Sequence, residues 1–287
     1  MTYNKCLLFI SLLVTLFSCS SDDQLTQEFT RQPIYLGSVE YADWIRPATR
    51  VVLEDDVIVY VSAGGAAPTA YEKVDGKYQV VTGTPQEWTA ASMDVYGFVR
   101  DDGVSSITTP YQIPLTQNTS TKCSFLASNK AAQSYDANSG GSISIAMTQR
   151  LAKLEVTVSD AIVGTTQLAV GNGALFCRGM FNYDTGTGSW NTSIGNGTTI
   201  NVTECDANKV FTIYVLPQTP VTGSRFFAVS NSASHVAYYA LPDGFTGFEA
   251  AHVYSCTLIQ DMTVASISID SDFNNGTETV ETTTRNN

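Results

Sequence analysis

Cys19 closes the phrase Leu16-Phe17-Ser18-Cys19, and a thiol in that setting can be acylated. The phrase looks like a bacterial lipobox, in which the cysteine takes a diacylglycerol and becomes the new N-terminus. What precedes it fits export: Lys5 gives a positive start, and Cys6 to Phe17 is an apolar run. That run is shorter than the ~20 residues a bilayer span needs, so residues 1–18 read as a signal peptide. Ordinary cleavage after a small residue is the competing reading. Several acyl chains hold a protein far better than one, at about 0.8 kcal/mol per buried methylene. Ser20-Ser21-Asp22-Asp23 follows at once. Acidic residues there resemble a surface-export signal of lipoproteins in some Gram-negative bacteria; a solvated tether is the plainer reading.

The other reactive side chains form no recognisable constellation. His235 and His252 are the two histidines, and neither has a metal-ligand spacing to another His, Cys or carboxylate. His235 follows Asn231-Ser232-Ala233-Ser234 and reads as a turn residue. No G-x-S-x-G elbow occurs; a Ser-His-Asp triad stays open, since its members are joined in space. Gly171-Asn172-Gly173 lacks a third spaced glycine and a following helix, so a dinucleotide site fails. Glu54-Asp55-Asp56 and Asp101-Asp102 have the residue types of a calcium or glycosidase site, but read as solvated turn charges. Beyond Cys6 and Cys19, four cysteines remain: Cys123, Cys177, Cys205 and Cys256. None makes a C-x-x-C pair. They read as small buried apolar residues, with one disulfide open in an oxidising compartment. The expectation is no enzyme, no metal and no cofactor. Trp88 and Trp190 are the aromatics that could stack on a sugar. Trp88 precedes a strand and reads as core. Trp190 lies in a Gly/Ser/Thr-rich loop and is expected to be more open, the one ligand-stacking candidate.

These residues hang on a chain that is 43% hydrophobic and 15% charged, enough apolar matter for a sizeable core. Its formal net charge is −12, and loss of residues 1–18 removes Lys5 and no acid. Such a surface repels nucleic-acid phosphates, and no basic stripe offsets it.

Strand signals run throughout. Ile34, Leu36, Val39 and Tyr41 hint at a strand whose phase Gly37 interrupts. Val57 to Val61 is continuously apolar, as a strand buried on both faces would be. Tyr71 to Val81 reads as a hairpin around Asp75-Gly76. Met93 to Val99, Val210 to Val215, Phe226 to Val229, Val236 to Leu241 and Val253 to Leu258 continue the series, with turns at Asp102-Gly103, Asn172-Gly173 and Asn274-Asn275-Gly276. Val264, Ile267 and Ile269 suggest a last strand before the Thr-rich tail, 277–287. The class is all-β.

The centre is Ser142 to Ser159, SISIAMTQRLAKLEVTVS. Ile143, Ile145 and Met147 alternate on odd positions; Leu154, Val156 and Val158 alternate on even ones. A period-two strand that changes phase turns its apolar side chains to the other face. The chain must bulge, bend or change sheets between Thr148 and Lys153, which reads as a junction between two β-domains. Leu154 and Val156 are expected inside, and Arg150 is expected to matter far less.

Gln149 to Val156 resembles the "H-x-LAKL-x-V-x-V" signature of the fimbrillin (Mfa-like) family, with Thr148 or Gln149 in place of the usual His. Trp88 before Met93-Asp94-Val95-Tyr96-Gly97-Phe98-Val99, Ser124-Phe125-Leu126-Ala127, Leu216-Pro217-Gln218, and Phe245, Gly247, Phe248 and Tyr254 resemble further family phrases. The resemblance spans roughly residues 50 to 270. It implies two tandem transthyretin-like β-sandwiches: signal peptide 1–18, lipidated tether with a removable N-terminal strand 19–50, then 51–160 and 161–287. It also implies a palmitate-bearing lipoprotein of the outer membrane and cell surface, built into a fimbrium (pilus) that serves cell adhesion. In that family a protease removes an N-terminal strand after an Arg, and a neighbour's strand fills the groove. Arg31, Arg46 and Arg50 are the candidate cuts. Pro47 makes the bond after Arg46 a poor one, so Arg50 is preferred. Val264, Ile267 and Ile269 are the donor-strand candidates. The implied partners are other fimbrial subunits, the outer membrane and an arginine-specific protease. The alternatives are a surface lipoprotein that binds glycan through aromatics, or a glycan hydrolase.

Overall fold

The structure is a computed structural model and describes residues 29–42, 51–52, 56–159, 165–184, 188–192, 197–220, 225–231, 236–242, 244–259, 264–270 and 278–281. The first strands are β1 (Gln32–Pro33), β2 (Tyr35–Ala42), β3 (Val51–Val52), β4 (Val59–Ala63), β5 (Thr69–Val74), β6 (Lys77–Thr82), β7 (Glu87–Trp88) and β8 (Ser92–Arg100). The middle holds β9 (Tyr111–Gln112), β10 (Thr116–Gln117), β11 (Phe125–Ala127), β12 (Ala131–Ser134), β13 (Ser142–Gln149) and β14 (Ala152–Val158). Then come β15 (Thr165–Phe176), β16 (Arg178–Asn182), β17 (Ser189–Asn191), β18 (Gly197–Val202) and β19 (Val210–Val215). The last are β20 (Phe227–Asn231), β21 (Val236–Tyr239), β22 (Val253–Leu258), β23 (Val264–Asp270) and β24 (Glu278–Glu281). A nine-stranded sheet runs β3-β2-β13-β11-β8-β4-β5-β6, with β12 also on β8. Two five-stranded sheets run β10-β18-β15-β20-β21 and β19-β14-β22-β23-β24, beside the short ladders β1-β7 and β17-β16-β9. The all-β expectation holds for the described residues.

Asp75 and Gly76 both take positive φ, 51° and 77°, and close β5 onto β6 as a tight hairpin. Asn172-Gly173, expected as a turn, takes positive φ at both residues, 42° and 83°, and lies inside the span of β15, where the pairing with β18 shifts register between Val170 and Leu175.

Side-chain alternation sorts the core into two clusters. Ile143, Ile145 and Met147 of β13 join Val59, Val61, Val95 and Trp88 in the smaller one. Leu154, Val156 and Val158 of β14 join the larger one with Phe211, Ile213 and Leu258. The phase change in SISIAMTQRLAKLEVTVS is therefore a change of sheet. β8 feeds both clusters: Met93, Val95 and Val99 go to the smaller, Tyr96 and Phe98 to the larger. Gly97 leaves room for Ile145 on the smaller cluster's side, where a Cβ would stand 2.8 Å from Ile145 Cδ1. The larger cluster thus packs on the back of the nine-stranded sheet.

The crossing itself is polar and buried. Gln149 Oε1 accepts from three main-chain N–H groups, of Phe125 (3.1 Å), Arg150 (3.0 Å) and Leu151 (3.3 Å). Arg150, whose substitution is expected to cost far less than a charge at Leu154 or Val156, is nonetheless only 7% exposed. Its Nε donates to Ala127 O (3.0 Å) and its Nη2 to Asn129 Oδ1 (2.8 Å), while the guanidinium lies 5.2 Å from the Phe181 ring centre. Burial pulls its pKa down to about 10, so it stays charged at neutral pH. These bonds replace the ladder partners that the chain gives up as it leaves one sheet for the other.

Two more amides, buried Gln117 and half-buried Gln218, do the same work elsewhere. Gln218 Oε1 accepts from Phe176 N (2.7 Å) and its Nε2 donates to Phe176 O (2.9 Å), as a neighbouring strand would. Its main chain bridges Phe248, so the Leu216-Pro217-Gln218 and Phe245–Phe248 phrases meet. Gln117 pairs in the same way with Tyr214 N (2.9 Å) and O (3.1 Å). Asp101 and Asp102 are not merely solvated charges. Asp101 accepts from Tyr111 Oη (2.9 Å) and Ser124 N (3.1 Å), and Asp102 takes the fully buried Arg100 guanidinium in two bonds of 2.9 and 2.5 Å.

Candidate functional site

The site is built on Phe29 to Tyr41, the N-terminal piece of the described chain. Gln32 and Pro33 pair antiparallel with Trp88 and Glu87, and Ile34 N donates to Gln86 O at 2.9 Å. β2 then runs parallel to β13, from Tyr35 opposite Ser142 to Ala42 opposite Thr148. Its other side carries the two residues of β3. Ile34, Leu36 and Val39 are buried in the smaller core, and Tyr41 packs against it. Leu36 pairs with Ile143 but Ser38 with Ser144, so Gly37 is an extra residue. This bulge moves the inward side chains from even to odd positions, as the interrupted pattern foretold. Ser38 Oγ bonds Ser144 Oγ at 2.9 Å across the ladder.

β13 supplies the floor under the segment, with Trp88 at its head. Trp88 is fully buried, and its Nε1 donates to Gly141 O at 2.8 Å. Tyr135 joins it edge-on at 5.9 Å and takes Phe29 edge-on at 5.4 Å. Burial raises the pKa of Tyr71, in the same core. Burying an Ile, Leu or Val is worth about 2 kcal/mol, so Ile34, Leu36 and Val39 together give ~6 kcal/mol. A groove without them would be strongly unfavourable in water.

The predicted site residues are scattered. Arg31 is exposed one residue before β1, within 3.7 Å of Glu87. Cys19, Arg46, Arg50 and His235 lie outside the described residues. Val264, Ile267 and Ile269 lie on β23, between β22 and β24. Trp190 is corrected: it stands on β17, not in an open loop, and its Nε1 donates to Arg150 O at 2.6 Å. Its ring packs against Phe125 (5.0 Å), Phe181 (5.4 Å) and Tyr111 (6.1 Å). His252 holds Ala250 O through Nδ1 at 2.8 Å in the turn before β22. Cys123, Cys177 and Cys256 are buried, Cys205 is half-buried and all four are free thiols. Burial raises the pKa of Cys123 and of Cys177 to about 12, which leaves them unreactive thiols at neutral pH. Gln149 and Gln218 stood inside recognised phrases, but no local signal told their amides from solvated ones.

A sequence profile of fimbrillin-like proteins matches residues 49–282. The chain belongs to the fimbrillin-like family. Two solved structures with TM-scores above 0.5 share the fold. A proposed cell adhesion protein from Bacteroides ovatus aligns over 90% of this chain and 100% of its own, at 11% identity and TM-score 0.55. One from Bacteroides uniformis aligns over 86% and 98%, at 13% identity and TM-score 0.51. The tip fimbrial protein Mfa3 from Porphyromonas gingivalis aligns over 88% and 100%, at 9% identity and TM-score 0.45. No curated protein matches the chain. Membership supports a fimbrial subunit role at the cell surface, in association with other fimbrial subunits.

Proposed function

We propose that this fimbrillin-like chain is a lipid-anchored subunit of a surface fimbria whose N-terminal strand is a removable plug. The chain is read as two tandem β-sandwiches, with the boundary moved from the expected 160/161 to Gln149-Arg150 because β14 packs in the larger cluster and pairs with β19 and β22. The observation that carries the reading is β2 itself. A segment near the N-terminus fills a core groove with Ile34, Leu36 and Val39, and two candidate arginines, Arg46 and Arg50, follow it directly. A cut after Arg46 or Arg50 separates β2 from the rest of the chain; a cut after Arg31 leaves it attached. Once the plug leaves, β13 offers a row of unpaired donors and acceptors, a template for a foreign strand. Main-chain hydrogen bonds then give strength and alternating pockets give register. Cys19 holds the precursor in the outer membrane until the cut. The assembled fimbrium serves adhesion, and no catalytic step is assigned to the chain.

Two outcomes are expected. Limited digestion with trypsin cuts the folded monomer between Arg31 and Arg50 and spares the rest, as read by mass spectrometry. Oligomers appear after the cut and vanish when the chain is truncated at Met262. Stable monomers after clean cleavage count against self-assembly, and a resistant N-terminal segment overturns the cleavage step. In cells, Cys19→Ser abolishes labelling by a palmitate analogue and empties the outer-membrane fraction; label retained in the variant would refute the anchor.

A further inference from the structure

The strand that fills the groove beside β13 does not alternate strictly. Its inward side chains come at the first, third, sixth and eighth places of an eight-residue stretch, Ile34, Leu36, Val39 and Tyr41. Gly37, fourth, is the unpaired bulge residue, and Ser38, fifth, bonds Ser144. The fourth place is tight. A Cβ on Gly37 would stand 3.3 Å from Ile143 O and 3.3 Å from Ser142 Cβ. A methyl needs a shift of a few tenths of an ångström; a branched Cβ would press on a carbonyl fixed in the ladder.

The same order recurs once near the other end. Met262-Thr263-Val264-Ala265-Ser266-Ile267-Ser268-Ile269 has apolar residues at first, third, sixth and eighth, a small residue fourth and a serine fifth. The bulge recurs too. In β23, Val264 pairs with Leu258 and Ser266 with Thr257, so Ala265 is the extra residue. Two segments of one chain thus share residue order, bulge position and a serine, with Met262 and Thr263 lying outside the described residues.

We propose that the groove selects its strand by this out-of-phase code, and that residues 262–269 of a second copy carry it. Ala265 takes the place of Gly37, and Ser266 bonds Ser144. This rests on the strand-exchange reading above and names its partner and register. A strictly alternating strand is rejected, because from the sixth place onward it would turn its apolar side chains to solvent and polar ones inward.

The test uses the full chain cut by trypsin and a synthetic peptide of residues 260–270. The peptide should displace the plug fragment and protect the 142–148 amides from hydrogen exchange. The same peptide lacking Ala265 should bind at least ~10-fold more weakly, and Ser266→Val a few-fold more weakly. A peptide of the alternating strand 142–149 should not displace the plug. Equal binding by the Ala265-deleted peptide overturns the code while leaving strand exchange standing. Failure of every peptide to displace the plug overturns strand exchange itself. The uncut chain gives an independent readout. Deletion of Gly37 should strip exchange protection from 142–148 and Gly37→Val should weaken it, whereas Gly37→Ala should nearly preserve it. Full protection in the deletion variant would refute the code whatever the peptides do.

Discussion

Val156→Asp is expected to abolish the cooperative melt of the folded chain. Val156 sits mid-strand on β14, fully buried, between Phe211 of β19 and Cys256 of β22. The described cluster around it is apolar, and the ladders on both sides engage the neighbouring main-chain donors. Burial of an unpaired charge costs several kcal/mol even after its pKa rises. That is comparable with the ~5–15 kcal/mol that holds a typical domain together. Leu154→Asp, one turn of the alternation earlier, should do the same. Val156→Ala, which only opens a cavity, should cost roughly 1–3 kcal/mol and leave a clean transition. Near-ultraviolet circular dichroism against temperature reads all three. A wild-type melt in Val156→Asp would mean that β14 faces solvent.

Arg150→Ala is expected to cost about 3 kcal/mol, well beyond an ordinary surface change. The substitution strips Ala127 O and Asn129 Oδ1 of donors and removes the cation from the Phe181 ring. It also empties space beside Trp190, whose indole is held by the Arg150 carbonyl. Arg150→Lys should recover only part of the loss, because an ammonium cannot fork to two acceptors and stack at once. Arg178→Ala, on an exposed position of β16, should fall within about 0.5 kcal/mol of wild type. The contrast separates a structural cation from a merely basic residue. Equal small losses at Arg150 and Arg178 would show that the crossing does not depend on the guanidinium.

What the sequence determined by itself was local. Alternation in SISIAMTQ and again in LAKLEVTV marked two strand faces and the break between them, because a period of two reports a face directly. The interrupted phase at Gly37 marked the bulge of β2, and Asp75-Gly76 marked a hairpin, because tight turns demand particular residues. The family phrases were legible for the same reason, as each lies within one strand or its end. What only the tertiary structure decided was partnership. Alternation says that Tyr96 and Phe98 point opposite to Val95 and Gly97, not that a second core covers them. Gln149, Gln218, Gln117 and Arg150 looked like ordinary polar residues, because their partners lie up to 97 positions away. Trp190 looked open for the reverse reason: its glycine-rich surroundings were visible, while Tyr111 and Phe125 reach it from the far side of β13 in sequence. A polar side chain is buried when folding brings it a partner, and an aromatic is covered when a distant strand arrives. Both depend on which strands pair, and period and composition carry no record of that.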